Sequence, residues 1–330
     1  FLIADGVRLS LLKPTGGINF LVHVAGAVAG LLLGLREVLR KPTRRKLDVF
    51  WIVPGLSAAL SLTRYDEPPA GTNTQAFKDQ QALIAAALHG KPVPSLDQFT
   101  LELFGAEPKG AQDISLAQLR YFGETGKHAP GYLLCADPVT IEFGRDTLKI
   151  QTTHERSVPL AQAQKTLRML NEHFKDQGVV FEYTTTAHWY VHLSHPIDAT
   201  TPSPTECQHQ SLAACMPQGK DAGQMRAWLN DIQMLMHQNH LTTKPITSDL
   251  ATWNSIWFWG GGDLPISYQP RIDKVYTDEP WIKGLAVLAG VPVVPLSVPL
   301  ELTETAEGIH SVLVYDHRFA DLQSFPEGTA

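Results

Sequence analysis

Cysteine is scarce in this chain: Cys135, Cys207 and Cys215 are the only three in 330 residues. A small, odd number cannot form the disulfide framework of a secreted mini-fold, so a reducing compartment, the cytoplasm, is expected. Charge is sparse as well. Charged residues make up 18% of the sequence and the formal net charge is -6, which leaves no broad basic footprint, and no nucleic-acid partner is expected. Internal repeats and low-complexity segments are absent. There is no G-x-G-x-x-G opening a helix and no Gly-Lys-Ser/Thr, which excludes a dinucleotide fingerprint and a P-loop. What is present, 44% hydrophobic residues over this length, suffices for one large or two medium globular domains.

Long apolar runs are also few. Ile18 to Leu35 is broken only by Asn19 and His23, and Arg36, Arg40, Lys41, Arg44, Arg45 and Lys46 follow it. At about 18 residues it reaches the lower limit of a spanning helix, with its basic flank on the cytoplasmic side. Gly26, Gly30 and Gly34 would suit close helix packing. A signal peptide would carry its basic cluster ahead of the apolar run. Residues 1–46 therefore read as an N-terminal extension whose segment 18–35 either contacts a membrane or forms a buried or surface-attached helix. The chain begins at Phe1 without methionine, as expected of a piece of a longer protein.

From Leu47 onward strand-like and helix-like runs alternate, the pattern of an α/β domain. Asp48 to Val53 is a short apolar run ended by Pro54-Gly55, and Thr74 to Leu88 predicts a helix closed by Gly90. Leu96 to Phe104 and Ile114 to Phe122 predict short helices with Gly105 and Gly123 as C-caps, and Gly131 to Leu134 predicts a strand. After Asp137-Pro138 the strands alternate in polarity: 146–151, 179–183 and 189–193, with helices at 160–177 and 221–237. That texture predicts a small inserted α+β domain over 143–245. Continuous apolar runs then return at 255–259, 291–298 and 311–315, with a helix at 281–289. The expected fold is α/β: a mainly parallel sheet flanked by helices, over 47–142 and 246–330, interrupted by the insertion.

The most informative run is Asn254-Ser255-Ile256-Trp257-Phe258-Trp259-Gly260-Gly261-Gly262-Asp263-Leu264-Pro265. A buried strand ending in a glycine turn brings backbone N–H groups and a carboxylate to the ligand-binding edge of an α/β sheet. Glycine lets such a backbone approach an anion closely. The same three glycines could equally serve only close packing, with Trp257 and Trp259 filling a core. Asn254, Gly260, Gly261, Gly262 and Asp263 are the candidate ligand-binding residues.

The stretch Trp228 to His237, the Asn254 to Gly262 run and Ala136-Asp137-Pro138-Val139 together resemble the RpfE-type regulatory protein family. That resemblance spans about Asp48 to Tyr315 and implies no particular chemistry. The order of motifs is also similar, more distantly, to the archaeal type of cofactor-independent phosphoglycerate mutase, in the alkaline phosphatase superfamily. The counterparts are Val53-Pro54-Gly55, the segment from Ile114 to Gly123, Cys135-Ala136-Asp137-Pro138-Val139-Thr140, and Asn254 to Gly262. The resemblance implies an alkaline-phosphatase-like fold and a small phosphorylated ligand. It also implies two divalent metal ions held by Asp and His, and a serine nucleophile.

Pro54 stands where that family places a metal-binding aspartate, and the nucleophile position falls on Ile114, with Ser115 one residue away. Two metals need carboxylates to hold them. Two functional expectations follow. One is a catalytically degenerate mutase-like protein serving as a regulatory or ligand-sensing module. The other is a metal-dependent phosphomutase or phosphatase using Ser115 with a divalent cation, for which Asp316-His317 after the last strand is the best metal-like pair. His188, His192 and His195, of which 188 and 192 share a strand face, the set Cys207, His209 and Cys215, His237 and His240 at a helix end, and the cations Arg271 and Lys283 near the glycines are weaker constellations. Each has an ordinary structural explanation.

Overall fold

The computed structural model describes residues 3–4, 7–11, 47–53, 58–64, 96–109, 113–143, 148–152, 158–207, 212–239, 253–298 and 310–315. The predicted helix at 74–88, the apolar segment 18–35 and the Asp316-His317 pair lie outside them. In chain order the first elements are β1 (Ile3–Ala4), β2 (Val7–Leu11), β3 (Leu47–Val53), β4 (Ala58–Arg64), α1 (Leu96–Leu103) and α2 (Leu116–Thr125). Next come β5 (Tyr132–Phe143), β6 (Leu148–Thr152), α3 (Leu160–Phe174), β7 (Val179–Tyr183), β8 (Trp189–Leu193), α4 (Pro204–Cys207) and α5 (Leu212–Cys215). The last are α6 (Ala222–Gln238), β9 (Ser255–Trp259), β10 (Lys274–Thr277), α7 (Pro280–Leu288), β11 (Val293–Val294) and β12 (His310–Tyr315). Among the described residues no helix is long and apolar enough to cross a membrane.

The chain divides into two compact units. One comprises Phe1–Ala106, Gln269–Glu279 and Ala286–Ala330, the other Glu107–Tyr268 and Pro280–Leu285. The first is built on a seven-stranded sheet in the order β1-β2-β4-β3-β12-β10-β11. Neighbours β3, β12, β10 and β11 run parallel, whereas β1, β2, β4 and β3 pair antiparallel. Consecutive burial of Val312, Leu313 and Val314, and of Val275 and Tyr276, is what strands covered on both faces require.

The second unit carries a five-stranded antiparallel sheet, β6-β5-β8-β7, with β9 also on β5. The expected mainly parallel sheet is thus corrected to a mixed α/β architecture. Two local facts account for it. The connection from Val53 to Ala58 is far shorter than the crossover of about a dozen residues that a parallel neighbour needs, so β4 returns antiparallel to β3. The Trp-Phe-Trp strand, expected in the parallel sheet, instead pairs antiparallel with β5, Trp259 facing Cys135 and Ser255 facing Val139.

β5 organises this second sheet. One of its edges is covered along Cys135 to Val139 by β9. The other is shared end to end by β8, which pairs with Tyr132 to Cys135, and β6, which pairs with Val139 to Phe143. Ala136, Asp137 and Pro138 fall in the gap between them, so a proline, which cannot donate to a ladder, is tolerated inside a central strand. Helix α3 buries Ala163, Thr166, Leu167, Leu170 and Phe174 on one stripe and packs on β7, while α6 packs on β9.

At two places a strand edge receives an asparagine side chain in place of a strand. Asn171 donates to Phe181 O and accepts from Phe181 N at 2.9 and 2.7 Å. Asn254 does the same with Ile141, at 2.8 Å each way. A carboxamide has the donor and acceptor spacing of a peptide group, so it satisfies edge groups that would otherwise template pairing with another chain.

Candidate functional site

The glycine run does not hang at an open edge. It docks on the N-terminus of α2, where Gly260 O accepts from Ala117 N at 2.9 Å and from the Ser115 hydroxyl at 3.0 Å. Ser115 is the N-cap of that helix, and its Oγ in turn accepts from Gln118 N at 3.1 Å. The residue is fully buried. Gly260 and Gly262 have φ of 72° and 140°, values that favour glycine. A Cβ on Gly262 would collide with Asp113 O, and one on Gly261 with Leu134 and the Tyr132 hydroxyl.

Asp263 N donates to Asp113 O and Ser115 N to Asp263 O, forming a short parallel bridge between Ile114 and Asp263. The Asp263 side chain is 38% exposed, with Lys109 Nζ 4.0 Å away. The structure therefore brings Ser115, Gly260, Gly261, Gly262 and Asp263 together. Asn254 sits at the other end of β9, on Ile141.

The most polar part of this unit's interior lies one helical turn further along α2. Arg120 makes a two-pronged ion pair with Asp137, at 2.7 and 2.8 Å, with both side chains almost fully buried. Its remaining donors reach Trp189 O and the Tyr190 hydroxyl, each at 3.0 Å. Asp137 also accepts from Trp189 N at 3.3 Å and from the Trp259 indole N–H at 2.8 Å.

The reason for the pair lies in the sheet. Trp189 begins β8 where β5 offers it no ladder partner, and the guanidinium and carboxylate take up its carbonyl and N–H instead. The cation lies 4.7 Å from the Tyr190 ring centre and 5.3 Å from that of Trp259, a placement that adds attraction to the ring faces. Burial alone would lower the Arg120 pKa, but the Asp137 charge outweighs it and holds the guanidinium charged.

From Arg120 the network continues outward. The Tyr190 hydroxyl donates to Glu124 Oε2 at 2.8 Å. Glu124 also accepts from the Thr184 hydroxyl and is paired through its other oxygen with His188 Nδ1. Burial would raise the Glu124 carboxyl; the hydrogen bond and charge of His188, with Arg120 and Thr184, outweigh it and hold it below the usual range. Burial pushes the Tyr190 hydroxyl well up, so it stays a donor. A neighbouring pair joins His192 Nε2 to Glu182 at 2.7 Å, with His192 Nδ1 3.3 Å from Pro130 O. Of these two carboxylate–imidazole pairs, Glu124–His188 is tied through the Tyr190 hydroxyl to the buried ion pair, an arrangement suited to holding its side chains in fixed positions.

His188 and His192, a suspected metal pair by strand alternation, thus each hold a carboxylate. Among the described residues no group of three or more His, Cys, Asp or Glu side chains is arranged to hold a metal ion. Cys207 and Cys215 are both buried, and His209 lies outside the described residues. Arg271 and Lys283 are exposed.

Arg120, Glu124 and Asp137 were not legible as a unit, although two signals existed. Arg120 falls on the buried stripe of α2 with Leu116, Leu119 and Gly123, and Asp137-Pro138 interrupts an apolar strand.

No family model matches the chain, and no curated protein matches it, so nothing there supports the RpfE-type resemblance. One solved structure that matches is the cofactor-independent phosphoglycerate mutase from Thermoplasma acidophilum DSM 1728. Identity is 14% over 68% of this chain, with a TM-score of 0.33. The chain spans 65% of that mutase's length. It is a weak structural neighbour, and a likeness at that level carries neither fold nor chemistry to this chain.

Proposed function

We propose that this chain is a binding module, regulatory or ligand-sensing, that takes a small phosphorylated ligand and passes no phosphoryl group through Ser115. The observation that carries this reading is the use made of the Ser115 hydroxyl. It donates to Gly260 O, accepts from Gln118 N and is fully buried. A serine nucleophile needs an exposed oxygen within reach of a base. The glycine edge is likewise engaged in holding the end of β9 against the start of α2, through Gly260 O and through Asp263 N–H and O. Lys109, with 69% of its side chain exposed beside Asp263, is the cation this edge offers to a phosphate.

The test is calorimetry of the full chain with phosphorylated glycerates and nucleotides, beside phosphate release from an aryl phosphate with magnesium, manganese or zinc. Wild type and Ser115→Ala are compared; losing the cap costs about 1 kcal/mol, which leaves the fold in place. The expected result is heat of binding for one phosphorylated compound in both proteins, weakened by Lys109→Glu, with no phosphate released. Absence of heat for every compound would remove the ligand-sensing role. Metal-dependent release lost in Ser115→Ala would establish the phosphomutase or phosphatase instead.

A further inference from the structure

Cys207 closes α4 and Cys215 closes α5, and both thiols are buried. Cys215 Sγ donates to Cys207 O at 3.9 Å, which sets the two cysteines side by side. The contact is held from outside. Thr200 and Gln218 exchange both backbone hydrogen bonds, at 2.9 and 3.0 Å, and Asp221 N donates to Asp198 O. These bonds close residues 198–221 at the base. Ser203 and Glu206 form a reciprocal cap on α4, Ser203 N donating to the Glu206 carboxylate and Glu206 N to the Ser203 hydroxyl. Cys207 N donates to Ser203 O.

The same segment covers the outer edge of β9. The Thr201 hydroxyl donates to Phe258 O, and the Trp257 indole N–H to Pro202 O at 3.0 Å.

We propose that Cys207 and Cys215 are a redox pair that closes to a disulfide, locking the segment that covers β9, with a low-molecular-weight disulfide as oxidant. One cysteine thiolate attacks the oxidant, forming a mixed disulfide and releasing one thiol. The second cysteine then attacks the protein sulfur of that intermediate, the cysteine–cysteine bond forms and a second small thiol leaves. The protein gives up two electrons and two protons, and both appear on the two released thiols. Burial pushes the Cys207 thiol far up, so few thiolates exist at neutral pH and closure is slow. The equilibrium ratio is therefore the proper readout. This inference is independent of the ligand reading and of Ser115.

The full chain is brought to equilibrium in a series of reduced and oxidised glutathione mixtures and quenched with acid. It is then alkylated under denaturing conditions, digested and weighed. The expected result is a two-hydrogen mass loss, with no alkylation, in the tryptic peptide that carries both Cys207 and Cys215, rising with the glutathione disulfide ratio, while Cys135 is alkylated throughout. Cys207→Ser and Cys215→Ser should each abolish the linked species. Alkylation of both cysteines at every ratio, or capture only as glutathione adducts, would overturn the proposal, and this outcome is readable in the wild-type protein without any variant.

Discussion

Asp137→Asn tests the reasoning about the buried ion pair most directly. The substitution keeps the side-chain shape but removes the charge facing Arg120, whose side chain is 1% exposed. An uncompensated buried charge costs about 3–5 kcal/mol. A carboxamide has one acceptor oxygen where the carboxylate has two. It therefore cannot serve the guanidinium, Trp189 N and the Trp259 indole together, and each donor left unserved costs about 1–3 kcal/mol. The expected loss is at least about 4 kcal/mol, a large fraction of what a domain of this size has.

Replacing both partners with apolar residues of similar volume, Arg120→Met with Asp137→Leu, should recover most of that loss, because the desolvation cost of both charges disappears together. The indole and the Trp189 backbone groups remain unserved, so recovery stays incomplete. The assay is urea unfolding followed by tryptophan fluorescence. Trp259 reports on the affected unit, and the transitions of the two units are fitted separately. A cost below about 1 kcal/mol for Asp137→Asn would refute the argument that the pair replaces missing ladder bonds, as would a double variant less stable than either single one.

Two further predictions follow from the same region. Glu124 has its folded pKa held below the ordinary 4.5, so its contribution is complete above that value and is lost as pH falls through the folded pKa; urea midpoints measured from neutral to acid pH should show a steeper decline in wild type than in Glu124→Gln, and equal slopes would sink this account. Gly123→Ala would drive a Cβ into Pro280 O and Gly284 N, where backbone cannot give way easily. A loss of about 1–3 kcal/mol or more is expected, and an unchanged thermal midpoint would show that α7 can move away.

Much of the local structure was legible because it depends on short-range chemistry. The apolar period of Leu160 to Phe174, the alternation in 179–183 and 189–193, and the run Ser255 to Trp259 all became the predicted element type. Gly123 misled: it resembles a C-cap, but the helix runs on to Thr125 and is capped by Gly126 with φ 69°, while Gly123 lies where α2 meets Pro280 and Gly284. A glycine demanded by a turn and one demanded by close packing look alike in sequence.

β10, with Val275, Tyr276 and Thr277 buried, is too short to show a period. Its partners β11 and β12 come later in the chain. The sequence by itself determined the type of several elements, through periodicity and turn residues that act over a few positions, though the apolar run 291–298 yielded only the two-residue β11. Only the tertiary structure decided that the Trp-Phe-Trp strand lies antiparallel on β5, that its glycines and Ser115 bind each other, and that Arg120 meets Asp137. Those outcomes depend on which strand edge is left vacant by elements distant in the chain, and no local pattern encodes that vacancy.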